Sequence, residues 1–285
     1  MRKLLITGAS GFLGWHITQA ATPHWTVYGT YQSRPMAGGI GLDLGDPRAI
    51  AACFATVQPD AVIHAAALSQ PNACEADPDL SYKINVLATW QIAEECSQRA
   101  IPCVFTSSEQ VFDGREAPYR ESDPITPINR YGEHKALAEQ GMLARCDRVA
   151  ICRMPLMYGA APSPSFIQSF IARLRSGEPL SAFTDEIRMP LSGWDAAQGL
   201  LLALAQHQGI LHLAGPERLS RYDMAQLLVE ILGIESAQIA PCLQADVPMP
   251  APRPPDLSMD TRLAQSLGFQ PQTMRSALKS IRDRF

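Results

Sequence analysis

Short apolar runs alternate with stretches of helical periodicity through the first half of the chain. The apolar runs have the length of buried strands, and between them apolar residues recur every three or four positions. This pattern predicts strands at 3–6, 25–31, 61–67, 103–106 and 149–152, and helices at 12–21, 47–57, from 78 onward and at 130–145. Repeated alternation of this kind is typical of a parallel sheet covered by helices on both faces. We therefore expect an α/β fold, a Rossmann-type doubly wound parallel sheet.

The alternation loosens beyond Tyr158, where prolines become more frequent. Helices are predicted at 166–174 and 194–205, a short strand at 210–213, and a further helix behind a capping box at 220–223. The proline-rich segment 248–255 is expected to be extended. Three aromatic residues of the chain could line a pocket, with burial in the core as the alternative: Tyr119, Phe166 and Trp194.

This change in pattern predicts two units. A dinucleotide-binding domain is expected at 1–155, and a smaller C-terminal lobe that mainly binds substrate is expected at 156–285. Residues from about 190 to 213 are expected to pack back on the first domain.

A glycine-spaced turn, G-x-x-G-x-x-G from Gly8 to Gly14, separates the first strand from the first helix. Without Cβ atoms the backbone can approach a phosphate closely, and the helix N-terminus supplies free N–H groups and a positive dipole end. The turn lacks the Lys-Ser/Thr pair that a Walker loop carries. It predicts a dinucleotide site, whereas a plain connecting turn would use the same residues. The residues expected to contact the cofactor here are Gly8, Ser10, Gly11, Phe12 and Leu13.

The end of the second strand bears on the choice of cofactor. An NAD site usually places an acidic residue there to hold the ribose hydroxyls. This chain has Ser33 and Arg34 instead, and Arg34 could pair with a 2′-phosphate. NADP(H) is therefore favoured over NAD(H), and an ordinary surface arginine is the alternative.

Two further strand ends are candidates for the same cofactor, because ligands bind beyond the carboxyl ends of strands in such sheets. Asp43 and Leu44 follow a short third strand, where Asp43 either meets the adenine edge or caps a turn. Three residues that end the fourth predicted strand, 61–67, are small enough for a cofactor to lie across the backbone, and tight packing would also require small residues there: Ala65, Ala66 and Ala67.

A serine, a tyrosine and a lysine form the candidate catalytic group. Ser108 follows the fifth strand, and Tyr131 and Lys135 lie four apart on one face of the next helix. A nearby ammonium is expected to lower the pKa of the phenol, which makes it a better proton donor to a developing alkoxide. A surface pair on a helix is the alternative. His134, one position off this face, is expected to point to solvent.

The glycine turn, the alanines, Ser108, Tyr131 and Lys135 follow one another along the chain as they do in extended short-chain dehydrogenases/reductases. The chain resembles that family over nearly its whole length. Its segments 111–114, 118–121 and 153–159 resemble dTDP-4-dehydrorhamnose reductases and the related beta subunit of methionine adenosyltransferase. The resemblance implies NADPH-dependent reduction of a 4-keto sugar attached to a nucleotide. It also implies roles: Tyr131 gives the proton, Lys135 binds the nicotinamide ribose, Ser108 polarises the carbonyl, and Asn85 supports Lys135 through water.

The chain departs from the rhamnose reductases on the substrate side. Glu109 and Gln110 stand where those enzymes have Asp-Tyr, and 185–191 replaces their Asp-Gln-x-Gly-x-Pro-Thr stretch. Both positions are expected to contact substrate, so the sugar is left open. Arg253 resembles the residue by which nucleotide-sugar enzymes approach their substrate. It could pair with a diphosphate or form a surface salt bridge.

Composition narrows the class of protein. The 285 residues carry a net charge of −4 without long runs of one sign, which argues against a nucleic-acid partner. No segment is apolar over the length of a membrane helix, and the N-terminus has no signal-peptide pattern. The seven scattered cysteines form no C-x-x-C pair, which indicates a reducing cytoplasm and no metal site. The expected partners are a nucleotide-sugar substrate and, in a homodimer, a second copy of the chain.

Two other functions stay open. An NAD-dependent nucleotide-sugar epimerase or dehydratase would recycle a tightly held cofactor, although Glu109 supplies only one of the two carboxylates that dehydratases generally use. A non-catalytic NADP-binding regulatory subunit is the other alternative, in line with the resemblance to the adenosyltransferase beta subunit.

Overall fold

The computed structural model describes residues 1–235 and 237–285. Its strands are β1 (Lys3–Thr7), β2 (Thr26–Tyr31), β3 (Ile40–Gly41), β4 (Ala61–His64), β5 (Cys103–Ser108), β6 (Val149–Met154), β7 (Met157–Tyr158), β8 (Leu180–Phe183), β9 (Ile187–Arg188), β10 (Leu191–Ser192), β11 (Gly209–His212), β12 (Leu219–Ser220) and β13 (Ile239–Cys242). Its helices are α1 (Phe12–Ala21), α2 (Pro47–Val57), α3 (Pro71–Ala76), α4 (Pro78–Tyr82), α5 (Ala88–Gln98), α6 (Arg130–Arg145), α7 (Phe166–Arg175), α8 (Gly193–Gln206), α9 (Arg221–Leu232), α10 (Arg262–Ser266) and α11 (Met274–Ile281).

Seven strands form one parallel sheet in the order β3-β2-β1-β4-β5-β6-β11. The strand order reverses between β1 and β4, and in doubly wound sheets a ligand crevice opens at the carboxyl ends beside such a reversal. Since β1 leads into the glycine turn and β4 into the three alanines, both predicted cofactor segments lie at this reversal. The doubly wound α/β fold is confirmed.

Helices cover both faces of the sheet with apolar side chains. On one face α1 and α8 pack together, with Ile17 and Leu200 fully buried. On the other face α2, α5 and α6 bury Phe54, Ile92 and Met142. Burying one such side chain contributes roughly 1.5–3 kcal/mol, so these two layers hold the strand ends in place. Both α8 and β11 come from the second half of the sequence, yet they lie on the central sheet.

A second apolar cluster is built by the later elements. Tyr158, Ile167 and Leu228 are fully buried in it, together with Leu278 from α11. Two small sheets border this cluster, a parallel one of β8 and β13 and an antiparallel one of β9 and β12. The predicted capping box is confirmed at the start of α9.

The long helix predicted from residue 78 is interrupted. A π-helical stretch, Lys83–Leu87, lies between α4 and α5. It buries Ile84, Asn85 and Val86, while Leu80 and Leu87 are exposed. A π turn adds a residue to the helical repeat and rotates the side chains that follow. Asn85 lies inside this π turn and is buried.

Two predicted side-chain environments differ from the structure. His134 does not face solvent: it is 5% exposed, and its Nδ1 lies 2.7 Å from Ser81 Oγ. Helix α4 packs over this part of α6 and covers the imidazole. Trp194 lines neither a pocket nor the core, since 47% of it is exposed at the start of α8.

Candidate active site

One cavity of about 840 Å³ runs along the carboxyl ends of the strands and continues between the sheet and the later elements. Its size falls in the range of ligand-binding clefts. At one end its wall consists of the glycine turn, the end of β2 and the three alanines after β4. At the other end it consists of side chains from α7, β8, β9 and α9.

The glycine turn packs without room for side chains. Gly8 has a φ of +72°, and a Cβ there would lie 2.9 Å from the Cα of Ala66. A Cβ on Gly14 would lie 2.1 Å from the carbonyl oxygen of Gly8. Helix α1 begins after Gly11 without a side-chain cap, so its first N–H groups are left for a ligand. These features fit a diphosphate held on backbone amides.

A buried threonine and histidine support this end of the cavity, and sequence reasoning missed both. Thr7 Oγ1 accepts hydrogen bonds from the backbone N–H groups of Ala65 and Ala66 at 3.2 Å each, and it lies 2.6 Å from His64 Nδ1. His64 Nε2 lies 3.0 Å from Thr89 Oγ1. Burial lowers the pKa of His64 to about 3, so the ring is neutral. The sequence does indicate this support, because each of two neighbouring apolar strands ends in a polar residue, Thr7 in one and His64 in the other.

The strand-end residues divide between cavity and surface. Ser33, Arg34 and Leu44 line the cavity, and Arg34 Nη1 donates to Ser163 Oγ at 2.9 Å. Asp43 lies outside the cavity lining, and its Oδ1 accepts from the backbone N–H of Gly45 at 2.8 Å. Asp43 therefore caps a turn, which is one of the two roles left open for it, and the contact with adenine stays a prediction.

Ser108, Tyr131 and Lys135 line the same cavity, each less than 10% exposed. Burial raises the pKa of Tyr131 above its usual value, and Ser108 acts in the opposite direction. The expectation that Lys135 lowers this pKa is wrong for this structure, because burial dominates. The phenol therefore keeps its proton at neutral pH, which a proton donor requires.

Two contacts with β5 fix the ammonium group of Lys135. Its Nζ donates to the carbonyl oxygen of Thr106 at 2.6 Å and lies 4.1 Å from the centroid of the Phe105 ring. Burial lowers the pKa of Lys135 to about 7, and the carboxylate of Glu139 opposes that change.

Asn85 reaches the site indirectly. Its Nδ2 donates to the carbonyl oxygen of Leu68 at 3.0 Å, and its Oδ1 accepts from the Leu68 N–H at 2.9 Å. It lies outside the cavity lining. Its observed contacts fix the segment that follows the three alanines.

Charged side chains of alternating sign form the other end of the cavity, which we call the charged wall: Glu109, Arg188, Glu186 and Arg221. Glu109 Oε1 lies 3.1 Å from Arg188 Nε. Arg188 Nη2 lies 3.5 Å from Glu186 Oε1, and Arg221 Nε lies 3.9 Å from the same oxygen. The guanidinium of Arg221 also stacks on Phe166, 4.3 Å from the ring centroid.

Two buried atoms of the charged wall have no hydrogen-bond partner among the residues that the structure describes. They are Oε2 of Glu109 and Nη1 of Arg221. Burial raises the pKa of Glu109 to about 8 despite the attraction of Arg188. Leaving a buried polar group unpaired is costly, so a ligand that supplies a donor to Glu109 and an acceptor to Arg221 would be favoured here.

The remaining substrate candidates also line the cavity. Gln110 Oε1 accepts from Asn129 Nδ2 at 3.0 Å, and Arg253 Nη2 donates to Asn72 Oδ1 at 3.3 Å. Within residues 1–235 and 237–285 no group of three His, Cys, Asp or Glu side chains is placed to hold a metal ion. No helix in the described part of the chain is long and apolar enough to cross a membrane.

Comparison with known proteins identifies the family. The family model described as RmlD substrate binding domain matches residues 1–285. The chain belongs to this family. A methionine adenosyltransferase 2 subunit beta from Xenopus tropicalis is 29% identical, with 95% of this chain and 84% of that relative covered.

Solved structures agree with this assignment. A dTDP-4-dehydrorhamnose reductase from Yersinia enterocolitica is 28% identical with a TM-score of 0.88, and 100% of each chain is covered. A hypothetical dTDP-4-dehydrorhamnose reductase from Sulfolobus tokodaii is 31% identical with a TM-score of 0.83, with 93% and 94% covered. The resemblance that the sequence motifs indicated is confirmed.

Within this family fold, most of the predicted site residues come together, but the charged wall was largely missed. Sequence reasoning placed Glu109 and the stretch 185–191, which contains Glu186 and Arg188, on the substrate side, but it singled out neither Glu186 nor Arg188 and gave Arg221 no role. The only signal was the departure of 185–191 from the rhamnose-reductase pattern. Arg221 had no local signal, because its contact with Glu186 depends on how β9 and α9 meet.

Proposed function

We propose that this protein is an NADPH-dependent reductase of a nucleotide-linked 4-keto deoxysugar. The observation that carries the proposal is the burial of Ser108, Tyr131 and Lys135 in the one cavity that the glycine turn and the charged wall also line. A cofactor on the glycine turn and a sugar at the charged wall would meet at these three residues. The named rhamnose reductases support the choice of substrate class.

The residues present fit the proposed cofactor. Gly8 and Gly14 let the turn pack closely against its own backbone and against Ala66, and the uncapped start of α1 leaves N–H groups free to bind a diphosphate. NADPH, when bound, would supply hydride to the substrate carbonyl. Arg34 at the cavity rim favours the 2′-phosphate form, since no acidic side chain of β2 lines the described cavity.

The chain's own residues would manage the proton and the charge. Tyr131, kept protonated by burial, donates its proton to the carbonyl oxygen as the alkoxide develops. Ser108 orients that oxygen by a hydrogen bond from its hydroxyl. Lys135 stabilises the phenolate that remains and binds the ribose hydroxyls, which requires its charged form.

The cavity's charge matches two anionic ligands. Five cationic side chains and two carboxylates line it, although the whole chain has a net charge of −4. Arg34 lies at the cofactor end, whereas Arg188, Arg221 and Arg253 lie at the substrate end. Clefts lined by one sign of charge attract ligands of the opposite sign. This supports a nucleoside diphosphate on the substrate.

We also propose the division into a cofactor domain, 1–155, and a mainly substrate-binding lobe, 156–285. The location of α7, β8, β9 and α9 at the substrate end supports it. A cytoplasmic location is supported by the seven free cysteines.

The test is NADPH oxidation, followed by absorbance, with a panel of dTDP-4-keto-6-deoxyhexoses. Tyr131→Phe is expected to lower kcat by about 10²–10⁴-fold, because the proton donor is lost, while the NADPH dissociation constant stays near wild type. Tyr222→Phe, in the apolar cluster of α9, is the matched control and is expected to keep full activity. Turnover by Tyr131→Phe at the wild-type rate would contradict the assignment of the acid.

A regulatory subunit is the second candidate, favoured by the similarity to the adenosyltransferase beta subunit. In that case the protein would bind NADP without turnover and would form a stable complex with a methionine adenosyltransferase. Size-exclusion chromatography of the mixture distinguishes this outcome from a reductase.

A further inference from the structure

A buried ion pair lies behind the active site, between α6, β5 and β6. Glu139 Oε2 lies 2.8 Å from Arg153 Nη2, and Glu139 Oε1 lies 3.1 Å from Arg153 Nε. Ser107 Oγ donates to the same Glu139 Oε1 at 2.5 Å. Glu139 and Arg153 are each 2% exposed, and Ser107 is 5% exposed. We call these three residues the rear cluster.

The rear cluster continues the catalytic face of α6. Tyr131, Lys135 and Glu139 are spaced by four residues, so they follow one another along one side of the helix. The other members adjoin the site as well, since Ser107 precedes Ser108 on β5. The rear cluster therefore ties the strand that carries Ser108 to the helix that carries Tyr131 and Lys135.

The guanidinium of Arg153 is anchored on its far side. Its Nη1 donates to the carbonyl oxygen of Glu121 at 3.4 Å, and the group lies 5.0 Å from the centroid of the Phe112 ring. Both carboxylate oxygens of Glu139 accept hydrogen bonds. A paired and fully bonded carboxylate keeps its negative charge in the interior.

Glu139 is the charged neighbour that acts on Lys135. From α3, Cys74 faces Lys135, and burial raises the pKa of its thiol, which keeps it neutral. From β4, His64 faces it as a neutral ring. From α6, Tyr131 keeps its proton, and β5 presents the Thr106 carbonyl and the Phe105 ring.

We propose that Glu139, anchored by Arg153 and Ser107, is a positioning residue that holds Lys135 in its charged form. This deepens the proposed function, on which it rests for the role of the ammonium in turnover. An ammonium shielded from water needs a nearby negative charge to stay protonated at neutral pH. Glu139 and Arg153 lie outside the cavity lining, so this charge is supplied without occupying the ligand space.

The test reads the protonation of Lys135 directly, without cofactor or substrate. The sequence has four lysines, Lys3, Lys83, Lys135 and Lys279, so ¹³Cε-lysine NMR gives few signals, and Lys135→Met assigns the buried one. Wild-type Lys135 is expected to titrate near pH 7. In Glu139→Gln the midpoint is expected to fall by about one pH unit, because the charged form loses its neighbouring anion.

Two variants separate charge from packing. Ser107→Ala removes a hydrogen bond to the same carboxylate without changing charge, and its midpoint is expected within a few tenths of a unit of wild type. Glu139→Asp keeps the charge and is expected to restore most of the midpoint. Equal midpoints in wild type and Glu139→Gln would overturn the proposal, and so would a Ser107→Ala shift as large as that of Glu139→Gln.

A double variant serves as the control for loss of folding. If Glu139→Gln is unfolded by circular dichroism, Glu139→Gln/Arg153→Met removes both buried charges and leaves none uncompensated. The same downward shift is expected there, and an unshifted midpoint overturns the proposal. In a protein that turns over, the alkaline limb of kcat is expected to move with the NMR midpoint. A shift by NMR in a protein without turnover would refute the proposed function alone.

Discussion

The two ends of the cavity recognise their ligands by different means. The cofactor end consists of glycines, alanines and backbone amides, with Arg34 as its one lining ion in the described chain. The substrate end consists of charged side chains joined in a network. A ligand that is bound by backbone amides needs small residues around it, and a short stretch of sequence can supply them. Side-chain recognition demands that distant segments meet, so it can change without disturbing the cofactor end.

The largest effect is expected from a substitution that adds a side chain to the closely packed glycine turn at the cofactor end. Gly8→Ala places a Cβ 2.9 Å from the Cα of Ala66 and adds strain at a φ of +72°. Because the turn must shift to relieve this contact, NADPH affinity is expected to fall about 100-fold, or roughly 2.7 kcal/mol. Fluorescence titration with NADPH measures it.

Gly38→Ala is the matched control for that substitution. Gly38 has a φ of +68°, but nothing lies within 4 Å of an added Cβ. It shares the strain and lacks the contact, so its NADPH affinity is expected near wild type. If both variants bind NADPH equally well, the close packing of the turn does not matter for the cofactor.

An intermediate effect is expected at the substrate end. Glu109→Gln changes the partner of Arg188 and the buried oxygen that has no hydrogen-bond partner among the described residues. Above pH 8, where Glu109 is charged, we expect kcat/KM for the sugar to fall about 30-fold, in line with a hydrogen bond to a charged group, while NADPH affinity is unchanged. Glu133→Gln, at an exposed position of α6, is the control.

The pH dependence sharpens this prediction. The pKa of Glu109 is raised to about 8, so the side chain is neutral below pH 8 and becomes charged above it. Glutamine resembles the neutral form. The ratio of wild-type to variant kcat/KM is therefore expected to grow as pH rises through 8. A ratio that is constant from pH 6.5 to 9 would show that the charge of Glu109 has no part in substrate binding.

The smallest effect concerns cofactor choice. Arg34→Ala is expected to weaken NADPH binding about tenfold and to leave NADH binding unchanged, because a charge-assisted contact to the 2′-phosphate is lost. Arg48→Ala, on the exposed start of α2, is the control. Equal loss for both cofactors would mean that Arg34 acts on the adenosine as a whole.

The difference between the cofactor end and the substrate end also explains which features the sequence could predict. The glycine turn, the Tyr131–Lys135 spacing and the strands around them depend on short stretches, and the structure reproduces their positions. The burial of His134 depends on Ser81 from another helix, and the π turn at Asn85 leaves no local mark. The charged wall depends on β9 and α9 meeting Glu109 at the end of β5, which no single stretch encodes.

The placement of β11 has a consequence for synthesis on the ribosome. When residue 155 has been made, β6 is an open sheet edge, and the face of α1 that α8 later covers is still exposed. Open edges and apolar faces invite association with other chains. The 57 residues from 156 to 212 must be added before β11 and α8 are complete, which at 5–20 residues per second takes roughly 3–11 s. During that interval the nascent chain depends on chaperones or on dilution, and a truncated 1–155 fragment would remain in that state permanently.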